Sequence, residues 1–201
     1  MSSDSTAKPK MPEPCCFVIF GVTGDLAHRL VTPALYNLAE AGLLPEGFCV
    51  VGVTRTEMQS QTLHQDLMKG LHQYATRPVD DDVARRLFDC VTSVHAAPRE
   101  HGSFDRLKDH LDAIARRGVG NMLFYLAVPP AAFKPIIEEL GRTGLLEEDA
   151  GSWRRLVIEK PFGTDLQSAR DLNRDLLKIV REHQIYRIDH YLGKETVQNI
   201  L

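Results

Sequence analysis

His190 and Lys194 stand four residues apart in the run Tyr186-Arg187-Ile188-Asp189-His190-Tyr191-Leu192-Gly193-Lys194-Glu195. On a helix, that spacing puts both cations on one face, one turn apart, an arrangement suited to a phosphate. Tyr191 adds a hydroxyl donor beside them, and Asp189 can orient or pair with a base. A second reactive group, Lys160, lies in Glu159-Lys160-Pro161-Phe162-Gly163, where an apolar strand stops at a proline. A lysine at such a strand end can donate to a sugar hydroxyl or a phosphate oxygen. Pro161 is a candidate cis residue that would aim it. Taken together, the two runs point to a phosphorylated, hydroxyl-rich substrate.

A different anion site is written near the other end. Gly21-Val22-Thr23-Gly24-Asp25-Leu26-Ala27 follows an apolar strand and opens a helix, the setting of a dinucleotide fingerprint with Ala27 in the third small position. Gly21 permits the tight turn, and Gly24 lets the backbone approach a pyrophosphate. Thr23, Asp25 and Leu26 supply the first N–H groups of the helix, whose dipole favours an anion. The next strand ends at Gly52-Val53-Thr54-Arg55-Thr56. An acidic residue here would hold a ribose 2′-hydroxyl. Arg55 suits a 2′-phosphate instead, which favours NADP while leaving NAD open, and Thr54 and Thr56 could add hydroxyl donors. Glu57 stands close by and would repel a phosphate if it turned inward. Leu126-Ala127-Val128-Pro129-Pro130 ends a further strand, so Pro129 and Pro130 fall at the ligand edge of a parallel sheet.

The elements that must position these groups alternate. Strands are expected at Cys15–Phe20, Phe48–Val53, Cys90–Val94, Asn121–Val128 and Arg155–Glu159. Helices are expected at Asp25–Ala41, Thr62–Tyr74, Val79–Phe88, Phe104–Arg117, Ala132–Leu140 and Leu166–His183. Pro33 is an irregularity in the first helix, and Gly42 should close it. The alternation predicts an α/β fold, a Rossmann-like doubly wound parallel sheet with helices on both faces. Residues 1–14 read as a loose polar tail, residues 15–185 as the dinucleotide-binding domain, and residues 186–201 as the start of a substrate-binding domain. Residues 147–152 form an acidic, glycine-containing loop.

Composition sets the outer bounds. The 201 residues are 43% hydrophobic and 25% charged, with a net charge of −3. That is ordinary for a soluble globular protein and gives no sign of binding nucleic acid or an anionic membrane. No apolar run approaches the roughly 18 residues of a membrane span. No signal-peptide core precedes the first strand. Cys15, Cys16, Cys49 and Cys90 form no C-x-x-C pair and lack metal spacing with the histidines, so they read as free thiols in a reducing cytoplasm, with no metal site.

Three of these motifs, Gly21-x-x-Gly24-Asp25-Leu26-Ala27, Glu159-Lys160-Pro161-Phe162-Gly163 and Arg187-Ile188-Asp189-His190-Tyr191-Leu192-Gly193-Lys194-Glu195, occur in order and at fitting distances. Over roughly residues 16–201 the chain resembles the glucose-6-phosphate dehydrogenases. The resemblance implies oxidation of glucose 6-phosphate at C1 to the phosphogluconolactone with hydride transfer to NADP+, the entry step of the oxidative pentose phosphate pathway. It implies phosphate-binding roles for His190, Tyr191 and Lys194. Lys160 would contact both sugar and nicotinamide, Asp189 would orient the catalytic histidine, Arg55 would hold the adenosine phosphate, and Pro129 and Pro130 would lie beside the nicotinamide. It further implies a catalytic histidine downstream, in a second α+β domain whose antiparallel sheet forms the interface of a dimer or tetramer. The sequence ends before both, so this portion alone is expected to bind NADP+ and to turn over sugar phosphate poorly. His28 and Arg29 stand where the family usually carries lysines. Two other readings use the same residues: another NAD(P)-dependent sugar oxidoreductase, or a stand-alone nucleotide-binding domain.

Overall fold

A computed structural model describes residues 11–160 and 165–189. Six strands form one sheet: β1 (Cys15–Phe20), β2 (Cys49–Thr54), β3 (Val91–His95), β4 (Asn121–Leu126), β5 (Arg154–Glu159) and β6 (Ile185–Ile188). Every pairing is parallel, and the order is β3-β2-β1-β4-β5-β6. The order reverses between β1 and β4. Loops from the two halves diverge there and leave a crevice at the carboxyl edge. This is the doubly wound α/β architecture expected from the alternation.

The helices divide between the two faces as the strand pattern requires. Phe17 and Ile19 of β1 face one side, where they pack with α1 (Thr32–Glu40), α2 (Ser60–Tyr74) and α3 (Asp81–Asp89) through Tyr36, Leu63, Leu67, Leu71 and Phe88. Cys16, Val18 and Phe20 face the other, against α4 (Ser103–Ala115), α5 (Phe133–Arg142) and α6 (Leu166–Leu176) through Phe104, Leu111, Ile137 and Leu176. Burial on both faces explains why β1 is an unbroken apolar run rather than an alternating one.

Several expectations shift in detail. The helix expected over Asp25–Ala41 contains a π-helical turn, Ala27–Val31, with the Thr32 N–H bonded to the Ala27 carbonyl five residues back. Pro33 follows at once. It lacks an N–H and its ring would strike the carbonyl of Arg29, and one extra residue per turn opens the space it needs. Gly42, at φ +65°, closes α1 as expected. Leu43 N–H reaches Leu38 O at 2.9 Å and Gly42 N–H reaches Ala39 O at 3.1 Å, a Schellman ending.

The long helix expected over Leu166–His183 stops at Leu176. Its start is strong, with a capping box between Asp165 and Ser168. Its second half is diverted by packing: Val180 is buried, and Gln184 donates from Nε2 to Leu146 O and accepts on Oε1 from Arg181 N–H, both at 2.9 Å. Those contacts turn the chain into β6, which was not expected. β6 pairs Ile185 to Ile188 with Leu156 to Glu159, so the sheet runs across the expected domain boundary after residue 185. The opening of the 186–194 run is therefore extended rather than helical. His190, Tyr191 and Lys194, like Pro161 and its peptide bond, lie outside the described residues.

Candidate functional site

The turn after β1 is tied into the sheet on both sides. Gly21 N–H donates to Val53 O at 3.3 Å, and Ala127 N–H donates to Phe20 O at 3.0 Å. Gly21 sits at φ +79°, and a Cβ placed there would run into the Ala127 carbonyl oxygen and come within 2.9 Å of Val128 Cγ1. Only glycine satisfies both conditions. The first loop is thereby pressed against the loop that follows β4, across the reversal point of the sheet. Gly24 N–H closes the turn on Gly21 O at 2.9 Å, and a Cβ at Gly24 would stand 3.0 Å from that oxygen. Thr23 and Asp25 are exposed at the mouth and Leu26 is half-buried. Asp25 pairs at 3.5 Å with Arg29, whose guanidinium lies 5.6 Å over the Tyr74 ring. His28 turns away and meets Asp66 of α2 at 3.1 Å.

Arg55 projects, exposed, from the end of β2, while Thr54 is buried. The Thr54 hydroxyl is bonded to Thr56 O at 2.8 Å and reaches Val94 O at 3.5 Å, which corrects the expectation that it is offered to a ligand. Glu57 is also exposed. Beside this loop lies a cavity of about 580 Å³ lined by Glu57, Gln59, Ser93, His95, Arg106 and His110, so the Glu57 carboxylate borders it. Sequence reasoning missed it, because β3 and α4 carry no motif. Ser93 Oγ and His95 Nδ1 are buried there without a hydrogen-bond partner. His95 Nε2 meets Glu100 at 3.2 Å, and Glu100 also holds Arg106 at 2.6 Å. His110 is bonded to Thr92 Oγ1 at 2.9 Å, and burial, with the charge of Arg117, pushes its imidazole down, toward the neutral form.

Pro129 and Pro130 are exposed past β4, and Pro130 opens a 3₁₀ turn that leads to α5. They share the crevice edge with the Gly21 turn, because Ala127 and Val128 pack directly on it.

Lys160 and Asp189 stand just beyond the ends of β5 and β6. Lys160 N–H donates to Ile188 O at 3.1 Å, and its Nζ donates to Asp189 Oδ2 at 3.0 Å. The preceding residue, Glu159, is buried at 6% exposure and accepts a hydrogen bond on Oε1 from the Tyr125 hydroxyl. Burial pushes its carboxyl up to about 7. Sequence reasoning singled out neither Glu159 nor Tyr125 for this pairing, which depends on strand register. Arg187 points elsewhere, forking onto Glu182 at 2.6 and 3.2 Å and reaching Asn173.

Among the described residues no set of three His, Cys, Asp or Glu side chains could hold a metal, and all four cysteines are free thiols. No helix among them is long and apolar enough to cross a membrane.

The family model described as "Glucose-6-phosphate dehydrogenase, NAD binding domain" matches residues 18–199. Glucose-6-phosphate 1-dehydrogenase 2 of Mycobacterium tuberculosis is 43% identical over 195 residues, covering 96% of this chain and 38% of its own. The glucose-6-phosphate 1-dehydrogenase of Aggregatibacter actinomycetemcomitans is 42% identical over 193 residues. Among solved structures, a glucose-6-phosphate dehydrogenase in complex with its substrate glucose 6-phosphate superposes with a TM-score of 0.80 at 30% identity, covering 95% of this chain and 39% of that one. The Mycobacterium avium enzyme gives 0.77 at 34% identity. The chain thus spans about two-fifths of the length of the relatives it matches. With the Gly21 turn at the sheet's reversal point and a family model covering nearly its whole length, the chain belongs to the glucose-6-phosphate dehydrogenase family, as its NAD-binding domain.

Proposed function

We propose that this chain is the nucleotide-binding portion of an enzyme that oxidises glucose 6-phosphate at C1 and passes the hydride to NADP+. The observation that carries the reading is the convergence, on one sheet edge, of a glycine turn shaped for a pyrophosphate and a lysine–aspartate pair at the ends of β5 and β6.

The residues present fit a dinucleotide. The tight Gly21–Gly24 turn brings bare backbone to the crevice edge, and the turn and the helix start it leads into offer N–H groups at Thr23, Asp25 and Leu26. Arg55 takes the 2′-phosphate, and the adjoining cavity receives the adenine. Pro129 and Pro130 border the nicotinamide. When bound, the nicotinamide accepts the hydride.

Lys160 serves both ligands: its ammonium donates to the sugar hydroxyls and approaches the nicotinamide side. His190, Tyr191 and Lys194 hold the phosphate, which uses remote binding energy to bring C1 into line. Asp189 orients a histidine base that takes the C1 hydroxyl proton, and a histidine held by a carboxylate suits that task near neutral pH. That base belongs to the part of the relatives this chain does not span. The whole protein acts in the cytoplasm, as a homodimer or tetramer, in the pentose phosphate pathway.

The test is a thermal-shift titration of this chain with NADP+, NAD+ and glucose 6-phosphate in turn, since a ligand that binds only the folded state raises the melting temperature by mass action. A larger rise with NADP+ than with NAD+ is expected. No rise with either nucleotide would remove the reading.

A further inference from the structure

Glu159 is the one carboxylate among the buried described residues. A buried carboxyl costs free energy in any charge state unless its hydrogen bonds are made, so its position calls for a reason. It occupies the last position of β5, and strand alternation turns it toward α1 while Lys160, the next residue, emerges on the opposite side. There it forms the floor of a groove of about 370 Å³ walled by Phe17 of β1, by Leu30, Val31 and Leu35 of the first helix, and by Ile188 of β6.

Strand register brings its partner to it. Tyr125 pairs with Val157, so Glu159, two residues on, shares the face of Tyr125 and lies diagonal to it. The Tyr125 hydroxyl donates to Glu159 Oε1. On the other flank, Glu159 is in register with Ile188, and Lys160 N–H continues that ladder to Ile188 O. The peptide that carries Lys160 is therefore anchored toward β4 by a side chain and toward β6 by the backbone. A lysine amine rides on a four-carbon stem with large rotamer freedom. Anchoring the root of that stem narrows where the amine can go, and here it rests 3.0 Å from Asp189.

We propose that Tyr125 and Glu159 form a positioning pair for Lys160, locking the carboxyl end of β5 so that the lysine amine stays on Asp189 at the mouth of the crevice. This deepens the functional reading above and rests on it only for the use made of Lys160. The pair also leaves a titration signature. Among the described residues, the titratable groups that line the groove with Glu159 are Tyr125 from β4 and Asp189 just past β6, whereas β1 and the first helix contribute apolar side chains. The Glu159 carboxyl, pushed up by burial, changes charge near pH 7 beside Asp189.

Two measurements on this chain test the pair. The first is competitive acylation with acetic anhydride, read as the labelling of Lys160 relative to exposed Lys69 on α2. Tyr125→Phe and Glu159→Ala should each raise that ratio about two- to fivefold, the range an ion pair of this exposure controls. Glu159→Gln, whose amide oxygen still accepts from Tyr125, should retain the protection. The second is carboxyl ¹³C NMR of Asp189 against pH, where a step near pH 7 in the parent should vanish in Glu159→Gln. An unchanged ratio in Tyr125→Phe, an equal rise at Lys160 and Lys69, or a step that persists in Glu159→Gln would overturn the proposal. Tyr125→Phe removes one hydroxyl only and keeps the test decisive if Glu159→Ala does not fold. Neither readout uses a substrate. Their failure removes the clamp alone, whereas absence of turnover with glucose 6-phosphate in the longer enzyme removes the functional reading alone.

Discussion

Lys160 Nζ donates to Asp189 Oδ2 at 3.0 Å, joining two residues 29 positions apart at the ends of neighbouring parallel strands. The contact exists because β6 pairs with β5 in a register that sets Glu159 beside Ile188, so the next residue of each strand meets its counterpart. In the proposed function, the cation for the substrate and the carboxylate for the base thereby share one hydrogen bond. Each limits the wandering of the other, and on the proposed function an arriving sugar would compete for the lysine.

Gly21 is the position least able to accept a side chain. Gly21→Ala would force a residue with a Cβ into φ +79° and into the Ala127 carbonyl. The expected loss is about 3 kcal/mol or more, with nucleotide binding abolished. Urea denaturation and a titration with NADP+ measure both. A variant with parental stability would show that the turn relaxes more easily than its packing implies.

Arg55 carries the cofactor preference in the proposed function. Arg55→Ala should weaken NADP+ binding about 10- to 100-fold, the worth of a charge-assisted contact to phosphate, and leave NAD+ binding nearly unchanged. Isothermal titration with each nucleotide reads the difference, and equal loss for both would assign Arg55 to another role.

Glu159 makes stability fall as pH rises. Its carboxyl has an ordinary value of 4.5 when unfolded and is pushed up to about 7 when folded, so between those values the folded state holds the proton more tightly. Stability is full below about 4.5 and declines until about pH 7, by about 2–3 kcal/mol. Urea midpoints from pH 5 to pH 8 should show this decline in the parent, and a flatter profile is expected for Glu159→Gln.

Glu148 works in the opposite direction. Burial would raise its carboxyl, but Arg154 N–H at 3.0 Å, His183 at 2.8 Å and Arg155 at 2.5 Å outweigh burial and hold it down at about 2, against 4.5 unfolded. A depressed folded value contributes stability above pH 4.5 that is lost as pH falls toward 2. Glu148→Gln should cost about 2 kcal/mol at pH 6, once solvent screening is allowed for, and little at pH 2.5. Circular dichroism melts at the two pH values provide the comparison.

Much of the architecture was legible in the order of residues, because it rests on short-range physics. The apolar run Cys15–Phe20, the glycine turn behind it and the Gly42 helix ending each follow from a period or a backbone conformation that a few adjacent residues impose. Strands alternating with helices then leave little choice but a parallel sheet wound on both faces. Arg55 and Lys160 could be marked as candidate binding residues because each sits one step past such a strand, and the fold places both at strand ends.

Tertiary structure decided what depends on neighbours distant in sequence. Residues 177–184 keep enough helical periodicity to continue α6, yet burial of Val180 and the hydrogen bonds of Gln184 turn them into the approach to β6. The same return places Asp189 on Lys160. Thr54 reads as a ligand donor until the fold supplies Thr56 and Val94 as its acceptors. Ser93 and His95 carry no motif at all, and they line a cavity only because β3 lies at the sheet edge between α2 and α4. Periodicity and backbone preference are written locally along a chain. Register, burial and the partner of each polar group are set by which strands come to lie side by side, and one stretch of sequence does not contain that information.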